Sequence, residues 1–180
     1  MKNPIRLLKY ASIVLALCMV TASGCSTTNV SGVPLDFIFI MDARSAGNGI
    51  AQDVNIQINA KGEGRYERYN TGGVIQQDGN DMVTYERSQV VEVGQFKLSE
   101  DDLRHLWKEI SKNNFFSLTD DYRMQIGLSY AFILIEADGR RHQVFNIGME
   151  VPEIRAIVET TAMMLPKGVK LEYGVGYILK

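Results

Sequence analysis

The stretch from Ser99 to Phe116 most narrows what this chain can become. Ser99 stands where an N-cap hydroxyl belongs, and Asp102, three residues on, supplies the reciprocal acceptor of a capping box. Glu100 and Asp101 add negative charge to the first turn, where it complements the helix dipole. Leu103, Leu106, Trp107 and Ile110 then recur on one face, so the spacing predicts an amphipathic helix from Glu100 to about Asn113. Asparagine tolerates the left-handed conformation that ends a helix, and two stand here, Asn113 and Asn114. Phe115 and Phe116 follow at once, and each ring contributes about 1.5–3 kcal/mol when buried. A helix with one apolar face and two rings at its exit needs an apolar sheet to lie on.

The flanking sequence supplies strands. Asp36 to Met41 is a short apolar run, and Ala43 to Gly49 reads as a loop because it holds serine, asparagine and two glycines. Val54, Ile56 and Ile58 alternate with Asn55, Gln57 and Asn59, the pattern of a sheet with one wet face. Lys61 to Gly64 turns the chain into a returning strand with Tyr66 and Tyr69, while Thr71 to Asp81 reads as an exposed excursion. Met82 to Phe96 returns to strand character, with Gly94 as a bend or bulge. Beyond the helix, Leu128 to Glu136 and Arg141 to Ile147 form a hairpin about Asp138-Gly139. A second helix begins at Pro152 and buries Ile154, Ile157, Val158, Thr161 and Leu165 before Pro166 and Gly168 stop it. Leu171 to Leu179 is a candidate edge strand.

Hairpin-linked strands and two amphipathic helices predict an α+β fold, a mainly antiparallel sheet of about five to seven strands with both helices on one face. The expected organisation is a signal peptide over residues 1–24, an anchored cysteine and tether over 25–35, and one domain over 36–180.

The N-terminus carries an address. Lys2, Arg6 and Lys9 precede the apolar run from Tyr10 to Val20, too short to span a bilayer as a mature helix. Ala22-Ser23-Gly24-Cys25 follows and resembles the lipobox of bacterial lipoproteins, with Ala22 where that family most often has leucine. The resemblance implies cleavage before Cys25, acylation of that cysteine with palmitate among the chains, and a membrane anchor. Ser26, rather than aspartate, implies the outer membrane and a domain facing the periplasm. Cys18 leaves with the signal, so the mature chain has neither a disulfide nor a cysteine-based metal or redox site. Losing the three basic residues leaves 16 basic against 21 acidic ones, a net charge of −5, which argues against nucleic acid as a partner.

Catalytic signatures are sparse. The two histidines, His105 and His142, read as solvent-facing residues of a helix and a strand, and no zinc-ligand spacing surrounds them. Ser45, Ser88 and Ser129 lack a nucleophile elbow. The pairs Asp101-Asp102 and Asp120-Asp121 suit a helix start and a turn. Asp78 to Asp81 lacks the ligand spacing of a calcium loop, and neither Gly47-Asn48-Gly49 nor Gly174-Val175-Gly176 fits a phosphate loop. No catalytic residue, metal or cofactor is expected.

Phe96-x-Leu98-Ser99, the helix with Leu103 and Leu106, Asn114-Phe115-Phe116-x-Leu118, Tyr122, the Asp138-Gly139 hairpin and the Pro-started helix together resemble a functionally uncharacterised family of small bacterial secreted and lipoprotein domains. The likeness spans most of Phe37 to Leu165. Many members have cysteines where this chain has Arg44 to Gln52, so disulfide-dependent properties are not implied here. A weaker likeness is to the emfourin family, protein inhibitors of thermolysin-like metalloproteases, whose glycine-rich loop after the first strand makes the inhibitory contact. The matching stretch is Arg44, Ser45, Ala46, Gly47, Asn48, Gly49 and Ile50, without the aromatic residue those inhibitors carry. The expectation is a non-enzymatic, membrane-anchored domain that binds a protein partner, with protease inhibition through Arg44–Ile50 as the alternative and a spatially assembled hydrolase as the third.

Overall fold

In a computed structural model the chain is described over residues 32–47, 50–77, 83–123, 130–147 and 151–171. Four strands come first: β1 (Ile38–Gly47), β2 (Ile50–Asn59), β3 (Glu63–Gln77) and β4 (Val83–Lys97). Helix α1 (Glu100–Lys112), a 3-10 turn (Phe115–Ser117), β5 (Asp121–Arg123), β6 (Tyr130–Ala137), β7 (Arg140–Ile147) and α2 (Pro152–Met164) follow. The strands form one sheet in the order β4-β3-β2-β1-β6-β7-β5, antiparallel throughout except where β5 lies parallel to β7. This is the α+β architecture expected, with seven strands.

The period-two alternation sorts residues between faces. Phe39, Met41 and Ala43 of β1 pair with Ile58, Ile56 and Val54 of β2 and with Ile135, Ile133 and Ala131 of β6. All nine are buried with Leu103, Leu106 and Ile110 of α1 and Ile154, Ile157 and Val158 of α2. Ser99 caps α1 by accepting from Asp102 N, and the Asp102 carboxylate returns a bond to Ser99 N. Trp107 packs edge-on against Phe37 at 5.6 Å between ring centres. Asn114 adopts φ 50°, the left-handed step that turns the chain so that Phe115 enters the core.

Several boundaries differ from expectation for definite reasons. β1 runs on through Gly47 and pairs with β2 as far as Gly47↔Ile50, so Ala43 to Gly47 is ladder rather than loop. Thr71 to Gln77 likewise belongs to β3, held to β4 through register shifts between Asn70 and Ile75. Backbone hydrogen bonding prevails here over a composition poor in strand formers. Gly94 is not the bulge: it pairs in register with Tyr66, and the nearest of the three register shifts falls between Arg68 and Tyr69, at Val91. Val33, expected in the tether, is fully buried, and Phe37 N donates to Pro34 O, so the fold begins before Asp36. The rest of the candidate edge strand, Glu172 to Leu179 with Gly174 to Gly176 inside it, lies outside the described residues, as do Asp78 to Asp81 and Ser129.

The β6–β7 turn takes the primed form that Asp-Gly favours, with φ 52° at Asp138 and 66° at Gly139. The Asp36 carboxylate accepts from Asp138 N at 2.9 Å and Gly139 N at 2.7 Å, joining the start of β1 to that turn. These bonds, that from Gly139 foremost, hold the Asp36 carboxyl below the usual carboxylate range. Glu63 is lowered by the Asn59 amide and Glu109 by Lys112. A carboxyl whose folded pKa is depressed adds stability that is full above its unfolded pKa and is lost as pH falls through the folded value. The denaturant midpoint should therefore hold level from neutrality to about pH 5 and decline below about pH 4, modestly because Asp36 and Glu63 are exposed and Glu109 is only part-buried. Urea titrations at several pH values check this, and Asp36→Asn should flatten part of the decline.

Candidate functional site

Cys25, Asn48 and Gly49 lie outside the described residues. Of the Arg44–Ile50 stretch the structure describes the backbone of 44–47 and of Ile50: two strand ends in ladder pairing with two residues between them.

The histidines separate. His105 is exposed on α1, as expected. His142, expected in solvent, sits on the helix-facing side of β7 because its register partner is the buried Ile135. Its ring meets Phe115 edge-on at 5.4 Å, Nε2 lies 3.0 Å from Leu118 O, and Nδ1 lies 3.6 Å from an Asp120 carboxylate oxygen. The imidazole thus pins the 3-10 turn to the sheet. Among the described residues no three of His, Cys, Asp and Glu gather as a metal-binding group, and no helix is long and apolar enough to cross a membrane.

The face opposite the helices divides in two. Across β1, β6 and β7 it mixes apolar and charged groups: Leu134 is buried and Phe132 and Phe145 meet at 6.4 Å, while Arg141 pairs with Glu136. Across β2, β3 and β4 it is polar and concave, a depression of about 620 Å³. Two cross-strand rows line it. Gln57, Arg65 and Gln95 are successive register partners, as are Ile38 with Asn59 and Glu63 with Lys97 in the next row. The Asn59 amide joins the two halves of that second row by donating to Glu63 at 2.8 Å, while Asn59 Oδ1 accepts from Lys61 N and Glu63 N.

Further bonds order the side chains around the depression. Gln57 donates to Asn55 at 3.1 Å, and Asn55 to Asp42 at 2.7 Å, a chain of amides ending on a carboxylate. Arg65 pairs with Glu67, and Lys97 donates to the Lys61 carbonyl. Lys97 and Lys61 add to the pull that keeps Glu63 ionised. This arrangement presents amide donors and acceptors beside two cations over a strand floor, a surface equipped for binding. The alternation of Asn55, Gln57 and Asn59 marked a wet face in the sequence, but their neighbours Arg65, Gln95 and Lys97 emerge only from the register.

No family model matches the chain, and no curated protein matches it.

Proposed function

We propose that this chain is a lipid-anchored protein of the bacterial envelope, acylated at Cys25, held at the outer membrane and facing the periplasm, whose domain acts by binding a partner rather than by catalysis. The observation that carries the reading is the run from Lys2 through the apolar segment to Ala22-Ser23-Gly24-Cys25. Two or more acyl chains hold a protein firmly where one holds it marginally. From Cys25 the chain needs seven residues to reach Gly32, a reach of at most about 25 Å. The domain would then work close to the membrane surface. The polar concave face of β2, β3 and β4 supports the binding part of the reading.

Mass spectrometry of the mature N-terminus tests the anchor. The expected result is a peptide beginning at a diacylated Cys25 in the wild type, with acylation abolished in Cys25→Ala. An unmodified N-terminus overturns the anchor. In the same cells, photocrosslinkers at Gln57 and Gln95 should capture a partner. Capture from positions 44–50 instead, with a metalloprotease as the product, would favour the inhibitor reading. Nothing captured from either surface would count against a binding role.

A further inference from the structure

We propose that the depression between β2, β3 and β4 binds the free carboxylate of a short peptide. The inference rests on the reading that the domain works by binding through this face. Its volume of about 620 Å³ lies within the range of small-ligand sites. The charged lining residues are Arg65, Lys97 and Glu63. Glu63 stays ionised beside Lys97, so two cations against one carboxylate leave the lining a net charge of +1. That is a local reversal in a chain whose formal net charge is −2.

Arg65 is the centre of the site. A guanidinium fork matches a carboxylate in a bidentate way that an ammonium cannot. Its pairing with Glu67 is on the surface, with the Arg65 side chain 52% exposed, and such pairs exchange at little cost. Gln57 and Gln95 flank Arg65 in the same row, one strand to either side. Adjacent strands lie about 4.8 Å apart, so the two amides span roughly 10 Å. A dipeptide extends about 7 Å, so one whose carboxylate sits on Arg65 places its peptide group at one glutamine and leaves the other within reach of the carboxylate. Each glutamine carries a donor and an acceptor, which suits a peptide group. Ile38, 40% exposed at the rim, gives a small aliphatic side chain an apolar contact. Phe96 also lines the depression, but its ring lies over Gly64 on the helix-facing side, so the floor between Gln57 and Gln95 offers hydrogen-bonding groups that suit a peptide.

The test titrates the mature protein in detergent micelles with N-acetyl-alanyl-alanine and, separately, with its C-terminal amide. The side-chain amide signals of Gln57 and Gln95 are followed by nitrogen-15 NMR. The acid should cause saturable shifts at both glutamines and bind about tenfold tighter than the amide. Arg65→Gln should abolish that preference, and Arg65→Lys, which keeps the charge without the fork, should keep part of it. An unchanged backbone spectrum shows that each variant is folded. Equal response to the two probes, no response at either glutamine, or a preference that survives Arg65→Gln overturns the proposal. Crosslinking from Gln57 to a partner, together with no carboxylate preference here, would reject this ligand and leave the binding role standing.

Discussion

Phe115→Ala is expected to cost about 3–5 kcal/mol of stability, and Phe116→Ala less than half as much. The residues are adjacent and identical, so the difference comes from where the left-handed Asn114 sends the chain. Phe115 is fully buried, with Phe116 edge-on at 5.9 Å and His142 at 5.4 Å. Removing it leaves a cavity between α1 and the sheet and takes away two ring contacts, each worth about 0.5–1.5 kcal/mol. His142 and the Leu118 carbonyl then lose the wall that aligns them. Phe116 is half-buried, with the Arg140 guanidinium 4.1 Å from its ring centre on the outer side. Its loss exposes little, and the cation–π contact at a wet site is worth about 0.5–1 kcal/mol. Leu106, wholly buried on α1, should behave like Phe115, at about 2–5 kcal/mol for Leu106→Ala. Urea unfolding of the three variants measures this. Equal costs for the two phenylalanines would mean that the core is misassigned.

The parts of the fold legible in sequence were those in which one local signal acted alone. Ser99 and Asp102 sit at fixed offsets, and Asp138-Gly139 has the two positive-φ residues its turn demands. The strand extensions were hidden because ladder hydrogen bonds come from backbone and leave composition free. Ser45, Ala46 and Gly47 looked like loop, yet the Asn48-Gly49 dipeptide between Gly47 and Ile50 was itself the strongest hairpin signal in that region. β5 has three residues and a parallel partner, too short for any periodicity to show. His142 is instructive in another way. Exposed Arg141 and Gln143 on either side argue, by strand alternation, that the residue between them faces inward.

The candidate site was half legible. Asn55, Gln57 and Asn59 declare a polar face without register, because one strand suffices to show alternation. That Arg65 falls between Gln57 and Gln95 depends on two pairings and on the register staying unbroken as far as Arg68. A one-residue slip would send Arg65 to the helix side and Tyr66 into water. What fixes the register is the burial of Tyr66 and Leu98 with the helices, so the core and the polar depression are specified by the same residues seen from opposite faces.

Gly94→Ala tests that coupling. In an ordinary strand the change would help by about 0.5–1 kcal/mol, since glycine gives up more backbone freedom on folding than alanine. Here a Cβ on Gly94 would lie 2.3 Å from a ring carbon of Tyr66, which covers the glycine from the facing strand. Gly64 stands in the same relation to Phe96, and the two rings lie 6.5 Å apart. Tyr66 is held besides by its hydroxyl, which donates to Glu92 at 2.6 Å, while Glu92 also pairs with Arg68. Making room for the methyl group breaks that bond or spreads the strands. The expected cost of Gly94→Ala is about 2–3 kcal/mol. The sign is the sharper test: in a Tyr66→Ala background the ring is gone, and Gly94→Ala should become neutral or stabilising. A double-mutant cycle by urea unfolding reads the difference as a coupling energy of about 2–3 kcal/mol. Additive effects within about 0.5 kcal/mol would show that Tyr66 does not lie over Gly94, and the β3–β4 register, with Arg65 on the polar face, would fall with it.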